Sequence, residues 1–168
     1  MQQIHPHLKR VRTIADYQFG GGAGDAVFPD NVEFLMSSTG RVRQVLLDGK
    51  RIATVRAQDG MLTLGMAGAA RLHDFLKFPK NRVIVNSDAA PFVSKGKNAF
   101  SRHVVDADPD IRAGEEVMVV DEKDLLLGTG KAVLCAVEMR AFRKGMAVEV
   151  RSGTNAGDRT DVPGAPDE

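Results

Sequence analysis

The chain has 168 residues, enough for one domain or for two small ones. Hydrophobic residues at 43% and charged residues at 27% form an ordinary globular mixture, and no apolar run approaches the roughly 20 residues that span a bilayer, which excludes a membrane protein. The formal charge of +1 conceals an uneven distribution: residues 1–80 carry 11 Lys or Arg against 7 Asp or Glu, residues 81–153 carry 11 against 11, and Thr154–Glu168 carry 1 against 4. An excess this small is what a soluble surface carries anyway, so only local clustering makes it a binding signal.

The start, MQQIHPHLKRVR, has basic residues with no apolar stretch behind them, which argues against a secretory leader and for a cytoplasmic location. Phe19–Asp25 follow with four glycines, marking a flexible turn. A phosphate-cradling loop would end in Gly-Lys-Ser/Thr, whereas here Asp25 places a carboxylate beside the nest. Short strand-like segments then run over Val32–Ser37, Arg43–Leu47, Ile52–Arg56 and Met61–Leu64, divided by Thr39-Gly40, Asp48-Gly49 and Asp59-Gly60. This is the pattern of a hairpin meander, with Asp48-Gly49 suited to a type I′ turn. Apolar residues at Met66, Ala69, Leu72, Phe75 and Leu76 predict a helix from Gly65 that stops before Pro79.

From Arg82 the pattern is β again. Strands are expected over Arg82–Asn86, Ala99–Val105, Glu116–Asp121, Leu125–Val137 and Met146–Arg151, with Gly128 and Gly130 as bends or bulges. Short helical pieces interrupt them at Pro91–Ser94, closed by Gly96, and at Val137–Lys144, stopped by Gly145. The fold class is therefore an α+β N-terminal domain over 1–80 followed by a small β pseudo-barrel over 81–153. Residues 154–168, rich in Gly, Pro and Asp, read as a disordered acidic tail.

No catalytic constellation assembles. The single cysteine, Cys135, closes no internal disulfide and sits in an apolar stretch that fits a buried, inert thiol. His5 and His7 belong to a free end with no other metal ligand nearby, and the acidic runs Asp106–Asp110 and Asp121–Asp124 lack the glycine and terminal Glu of a calcium loop. No metal or cofactor is expected. The segment Pro91–His103 differs in kind, because it gathers Phe92, Lys95, Gly96, Lys97, Asn98, Phe100, Arg102 and His103. Ammonium groups flanking a glycine suit a phosphate, and an exposed aromatic ring suits an unpaired base. Arg143, Lys144 and Arg151 form a second basic group.

The stretches Arg82–Val85, Ala90–Val93, Lys95–Phe100, Ala107–Arg112, Glu116–Val120, Gly128–Ala132, Glu138–Met139 and Gly145–Val148 together resemble a PUA domain. Upstream, Ile14–Gly20, Ser38–Arg43, Ile52–Ala57, Asp59-Gly60 and Gly68-Ala69 resemble the domain before PUA in archaeosine tRNA-guanine transglycosylase and archaeosine synthase. The resemblance implies a PUA-like pseudo-barrel that holds the acceptor stem and CCA end of tRNA. It implies Phe92 against a terminal base, and phosphate or sugar contacts from Lys95, Gly96, Lys97, Asn98 and Arg102. Those enzymes also carry a catalytic barrel, with an Asp nucleophile, an Asp base and a Cys-rich zinc site, for which 168 residues leave no room. The expectation is a non-catalytic tRNA-binding subunit or accessory factor of the archaeosine pathway, with tRNA and a catalytic tRNA-modifying subunit as partners and no DNA. The alternative is a ribosome-associated initiation factor that also carries a PUA domain.

Overall fold

The computed structural model of the chain describes Gln3 and residues 5–158, which fall into two compact units, Met1–Leu76 and Lys77–Glu168. The first unit opens with an element absent from the sequence reading, helix α1 over Pro6–Phe19. Its signal is an ordinary one: Leu8, Val11, Ala15 and Phe19 recur at spacings of three or four and are all buried. His5 is not part of a free end but the N-cap, its Nδ1 accepting from the His7 N–H at 3.2 Å, and its ring stacks on Phe34.

The glycine-rich loop is a turn only as far as Gly22, because Ala23–Val27 form helix α2 with Gly24 inside it. Proximity demands this glycine, since a Cβ would lie 2.6 Å from Arg12 Cα. Strands β1 (Glu33–Met36), β2 (Val42–Leu47), β3 (Lys50–Val55) and β4 (Leu62–Leu64) then form an antiparallel meander in chain order. Asp48 and Gly49 take the positive φ values, 52° and 78°, that the type I′ reading requires. Helix α3, Met66–Phe75, ends earlier than expected, with Leu76 already extended at φ −79° and ψ 131°. The three residues before Pro79 thus leave the helix together, Pro79 disfavouring the helical region for its predecessor.

In the second unit the chain runs through β5 (Arg82–Val85), helix α4 (Ala90–Ser94), β6 (Ala99–Phe100), a 3₁₀ turn (Ser101–His103), β7 (Val104–Ala107), β8 (Glu116–Val120), β9 (Leu126–Ala132), helix α5 (Ala136–Ala141), β10 (Met146–Gly153) and β11 (Gly157–Asp158). The sheet follows the order β7-β5-β8-β9-β10, with β6 and β11 both pairing β10. Every residue of β5 and β8, the parallel pair, is buried, which explains why each is apolar after its first residue, Arg82 or Glu116. The expected strand Ala99–Val105 is two strands at opposite ends of the sheet path, one on β10 and one on β5. The 3₁₀ turn between them spans the gap, so the chain itself draws the sheet into a nearly closed barrel. Gly128 and Gly130 serve close approach: a Cβ on Gly130 would lie 2.8 Å from Val150 Cα.

Cys135 also departs from expectation, for it lies outside β9 and is the half-buried N-cap of α5. Hydrogen bonds from its side chain and then from its N–H hold the Glu138 carboxyl below its ordinary pKa, in a reciprocal capping box. Helix α5 stops at Ala141, which leaves Arg143 and Lys144 in the loop before β10. The expected tail begins too early, because Thr154 N–H donates to Leu127 O at 2.9 Å, Asn155 N–H to Ser94 O at 2.7 Å, and β11 pairs with Ser152–Gly153. Satisfying those carbonyls gives this polar segment an ordered place despite its lack of apolar side chains. Residues 159–168 of the expected tail lie outside the described residues.

Two glycines three residues apart separate packing from mere flexibility. Gly24→Ala should destabilise the chain by about 1–3 kcal/mol through the clash with the Arg12 backbone. Gly21→Ala, with nothing within 4 Å, should change stability by no more than about 0.5 kcal/mol. Chemical denaturation of both variants checks this, and equal midpoints would contradict it.

Candidate nucleic-acid interface

Helix α4 decides where the candidate residues point. It buries Val93 and Ser94 against the barrel, which turns the preceding residue outward: Phe92 is 60% exposed. The helix ends in a Schellman arrangement, with Gly96 N–H donating to Val93 O at 2.9 Å and Lys97 N–H to Phe92 O at 3.0 Å. Such an end needs a left-handed residue, and Gly96 supplies it at φ 89°. The glycine at the centre of the basic segment is therefore explained by helix termination. It is buried, and its N–H already donates to Val93 O within the fold. The two lysines on either side of it, Lys95 and Lys97, are exposed.

Asn98 is also drawn into the fold, its Oδ1 accepting from Val150 N–H at 3.0 Å where the pairing of β6 with β10 slips by one residue. Phe100 is 43% exposed and stands opposite half-buried Met146 across that strand pair. Ser101 N–H donates to Gly145 O at 2.9 Å, which fixes the 3₁₀ turn beside the loop that carries Arg143 and Lys144. Arg102, Arg143 and Lys144 are exposed, and His103 is half-buried with its Nε2 3.2 Å from Arg102 Nε. Two segments distant in sequence, residues 89–105 and 139–148, thus meet along the β6–β10 edge.

Arg151 does not join them as a free cation. Its guanidinium makes a two-pronged pair with the buried carboxylate of Glu116, one prong at 2.8 Å. Charge placed on β10 by sequence reading is consumed by a structural partner on β8, and Arg140 likewise lies 3.5 Å from Asp106.

Neither segment meeting at this edge contains an Asp or a Glu, whereas residues 106–124 contain eight. A domain neutral in total therefore carries Lys95, Lys97, Arg102, Arg143 and Lys144 on two segments without acidic residues, bounded by Asp88, Asp106, Glu138 and Glu149, and gathers most of its carboxylates over 106–124. Local potential, rather than net charge, governs attraction of a polyanion at short range. Phe142, 47% exposed beside Arg143, escapes sequence reading because a Phe three residues after Met139 looks like core spacing. Among the described residues no group of three or more His, Cys, Asp or Glu is placed to hold a metal, and no helix is long and apolar enough to cross a membrane.

Residues 81–154 match the PUA domain and residues 9–79 match the patch-forming domain C2 of tRNA-guanine transglycosylase, so the chain is a PUA-domain protein with a C2 domain ahead of it. It resembles the archaeal tRNA-guanine(15) transglycosylases in particular. The chain is 51% identical over 145 residues to the Thermococcus kodakarensis enzyme, covering 86% of this chain and 25% of the relative. Against the Methanothermobacter thermautotrophicus enzyme the identity is 48% over 147 residues, covering 87% of this chain and 22% of the relative. The chain thus spans about a quarter of the length of these relatives. A solved hypothetical protein from Pyrococcus horikoshii has the same fold, with a TM-score of 0.70 at 23% identity over 92% of both chains. A conserved PUA domain protein from Thermoplasma acidophilum gives 0.60 at 20% identity over 89% of this chain and 93% of that one.

Removing Arg151 tests its structural assignment. Arg151→Ala strands the Glu116 carboxylate and should cost roughly 3 kcal/mol of stability, read as a lowered melting temperature. The folded variant should bind RNA no differently from the wild type. Unchanged stability with weakened RNA binding would return Arg151 to the interface.

Proposed function

We propose that this chain is an RNA-binding protein of tRNA modification, a non-catalytic subunit or accessory factor of the archaeosine pathway working in the cytoplasm. Its PUA domain holds the acceptor stem and CCA end of tRNA, and a catalytic tRNA-modifying subunit is its protein partner. The observation that carries the reading is the 60% exposed ring of Phe92, on a fixed helix end followed by exposed Lys95 and Lys97, in a domain pair about half identical to the matching part of archaeal tRNA-guanine(15) transglycosylases. A large apolar ring left in water on a rigid scaffold, amid cations, suits stacking on an unpaired base with the adjoining phosphates neutralised.

Phe92, Phe100, Lys95, Lys97, Arg102, Arg143 and Lys144 supply the contact surface. Gly96 and Asn98 support it by shaping the α4 turn and the β6 register, and His103 orients Arg102. Nothing in this assignment asks the chain to perform chemistry on the base.

Affinity for tRNA transcripts with and without the CCA end, measured for the wild type and for Phe92→Ala, tests the proposal. The substitution should weaken binding of intact tRNA by about 1–3 kcal/mol, the range for loss of one base–aromatic stack. It should matter little once the CCA end is gone, because ring and base act as one pair. The melting temperature should hardly move, since the ring is largely solvated. Equal affinity for duplex DNA of similar length, or loss of Phe92 costing the same with and without CCA, would contradict the assignment.

A further inference from the structure

A second exposed aromatic group lies at the other end of the same edge. Phe142 stands at the C-cap of α5, extended at φ −81° and ψ 137°, with 47% of its surface exposed. Exposed Arg143 and Lys144 follow it directly, then Gly145, whose carbonyl is bound by Ser101 N–H, and then Met146, which faces Phe100 across the strand pair. The core of the unit is filled by other residues of these elements: Met139 is fully buried, as are Ala147 and Val148. Phe142 lies outside that core, with about half of its surface open to water.

Such rings in water have two ordinary uses, contact with an apolar protein surface and stacking on a nucleobase. Charge separates them. A protein contact of stable kind is depleted in charge at its centre, whereas here exposed Arg143 and Lys144 follow the aromatic group directly, and the Ser101–His103 turn bound to the same loop carries exposed Arg102. The patch is continuous, through β6, with the segment that carries Phe92.

We propose that Phe142, on the loop that leads into the Phe100–Met146 strand pair, is a second stacking surface for an unpaired nucleotide of the bound RNA, separate from the one at Phe92. This rests on the RNA-binding reading above and adds to it a requirement on the ligand: its single-stranded portion reaches two aromatic stations with cations between them. A blunt duplex meets neither.

The chain contains no tryptophan, so one introduced indole reports on one place. Phe92→Trp and Phe142→Trp are each titrated, as the full chain, with an unmodified tRNA transcript ending in CCA, following indole emission alongside gel-shift binding. The expected result is quenching in both variants that saturates with the gel-shift isotherm, because a stacked base quenches indole. Phe142→Leu keeps the apolar bulk and removes the ring, and it should weaken binding roughly fivefold or more while leaving the melting temperature near that of the wild type. Quenching at position 92 alone, with Phe142→Leu binding as tightly as the wild type, would overturn this inference while leaving RNA binding intact, and would hand the patch to a protein contact. No binding by the wild type in the gel shift would overturn both readings.

Discussion

Helix α4 lies against β10 only because position 153 has no side chain: a Cβ there would sit 2.5 Å from Ser94 O and 2.7 Å from Gly96 N. This close approach seats the helix end on the sheet, where Asn155 holds the Ser94 carbonyl by its N–H and the Ser94 hydroxyl by its side-chain amide. The Gly96 turn is fixed from both sides, by the helix that it terminates and by the strand on which it rests. Phe92, Lys95 and Lys97 therefore project from a rigid element. Pre-organised side chains lose less conformational freedom on binding than those on a mobile loop, and so return more of each contact as affinity.

The closure of the barrel performs the same service for the second half of the edge. Residues Ala99–Ala107 leave β10, cross through one 3₁₀ turn and join β5, so β6 is tied to the Arg143–Lys144 loop by Ser101 N–H and by the Phe100–Met146 pairing. Acidic residues fall instead on the segments from β7 to the β8–β9 loop, where several have structural work. Asp124 pairs with fully buried Arg82, Asp108 accepts from Asn81 N–H, and Glu116 receives Arg151. Most carboxylates of the barrel thus lie away from the β6–β10 pairing, Glu149 of β10 excepted, and the basic character of the two segments arises from segregation rather than from excess.

Much of this was legible in the sequence where local chemistry and tertiary context agree. The Asp48-Gly49 hairpin, the helix opened by Pro91 and closed by Gly96, and the exposed basic segment around them follow from turn and cap rules. Reading failed where one residue served two elements. Gly24 looked like loop flexibility but is a helix residue pressed against Arg12, and Cys135 looked like strand but caps a helix. Arg151 carried the same ambiguity: its charge was visible, and its buried partner 35 residues away was not. Helix α1 was hidden by its own glycine-rich exit and basic start, which drew attention to punctuation rather than to the spacing of Leu8, Val11, Ala15 and Phe19.

RNA binding along the basic β6–β10 edge of the PUA barrel is open to direct test. Backbone amide shifts of the isotopically labelled full chain, followed during titration with a CCA-ended tRNA transcript, test it most directly. Binding at this edge puts the largest changes within the barrel unit in residues 89–105 and 139–148, while 106–124 stay near their free positions. Changes centred on 106–124, or a barrel untouched by saturating tRNA, would contradict it.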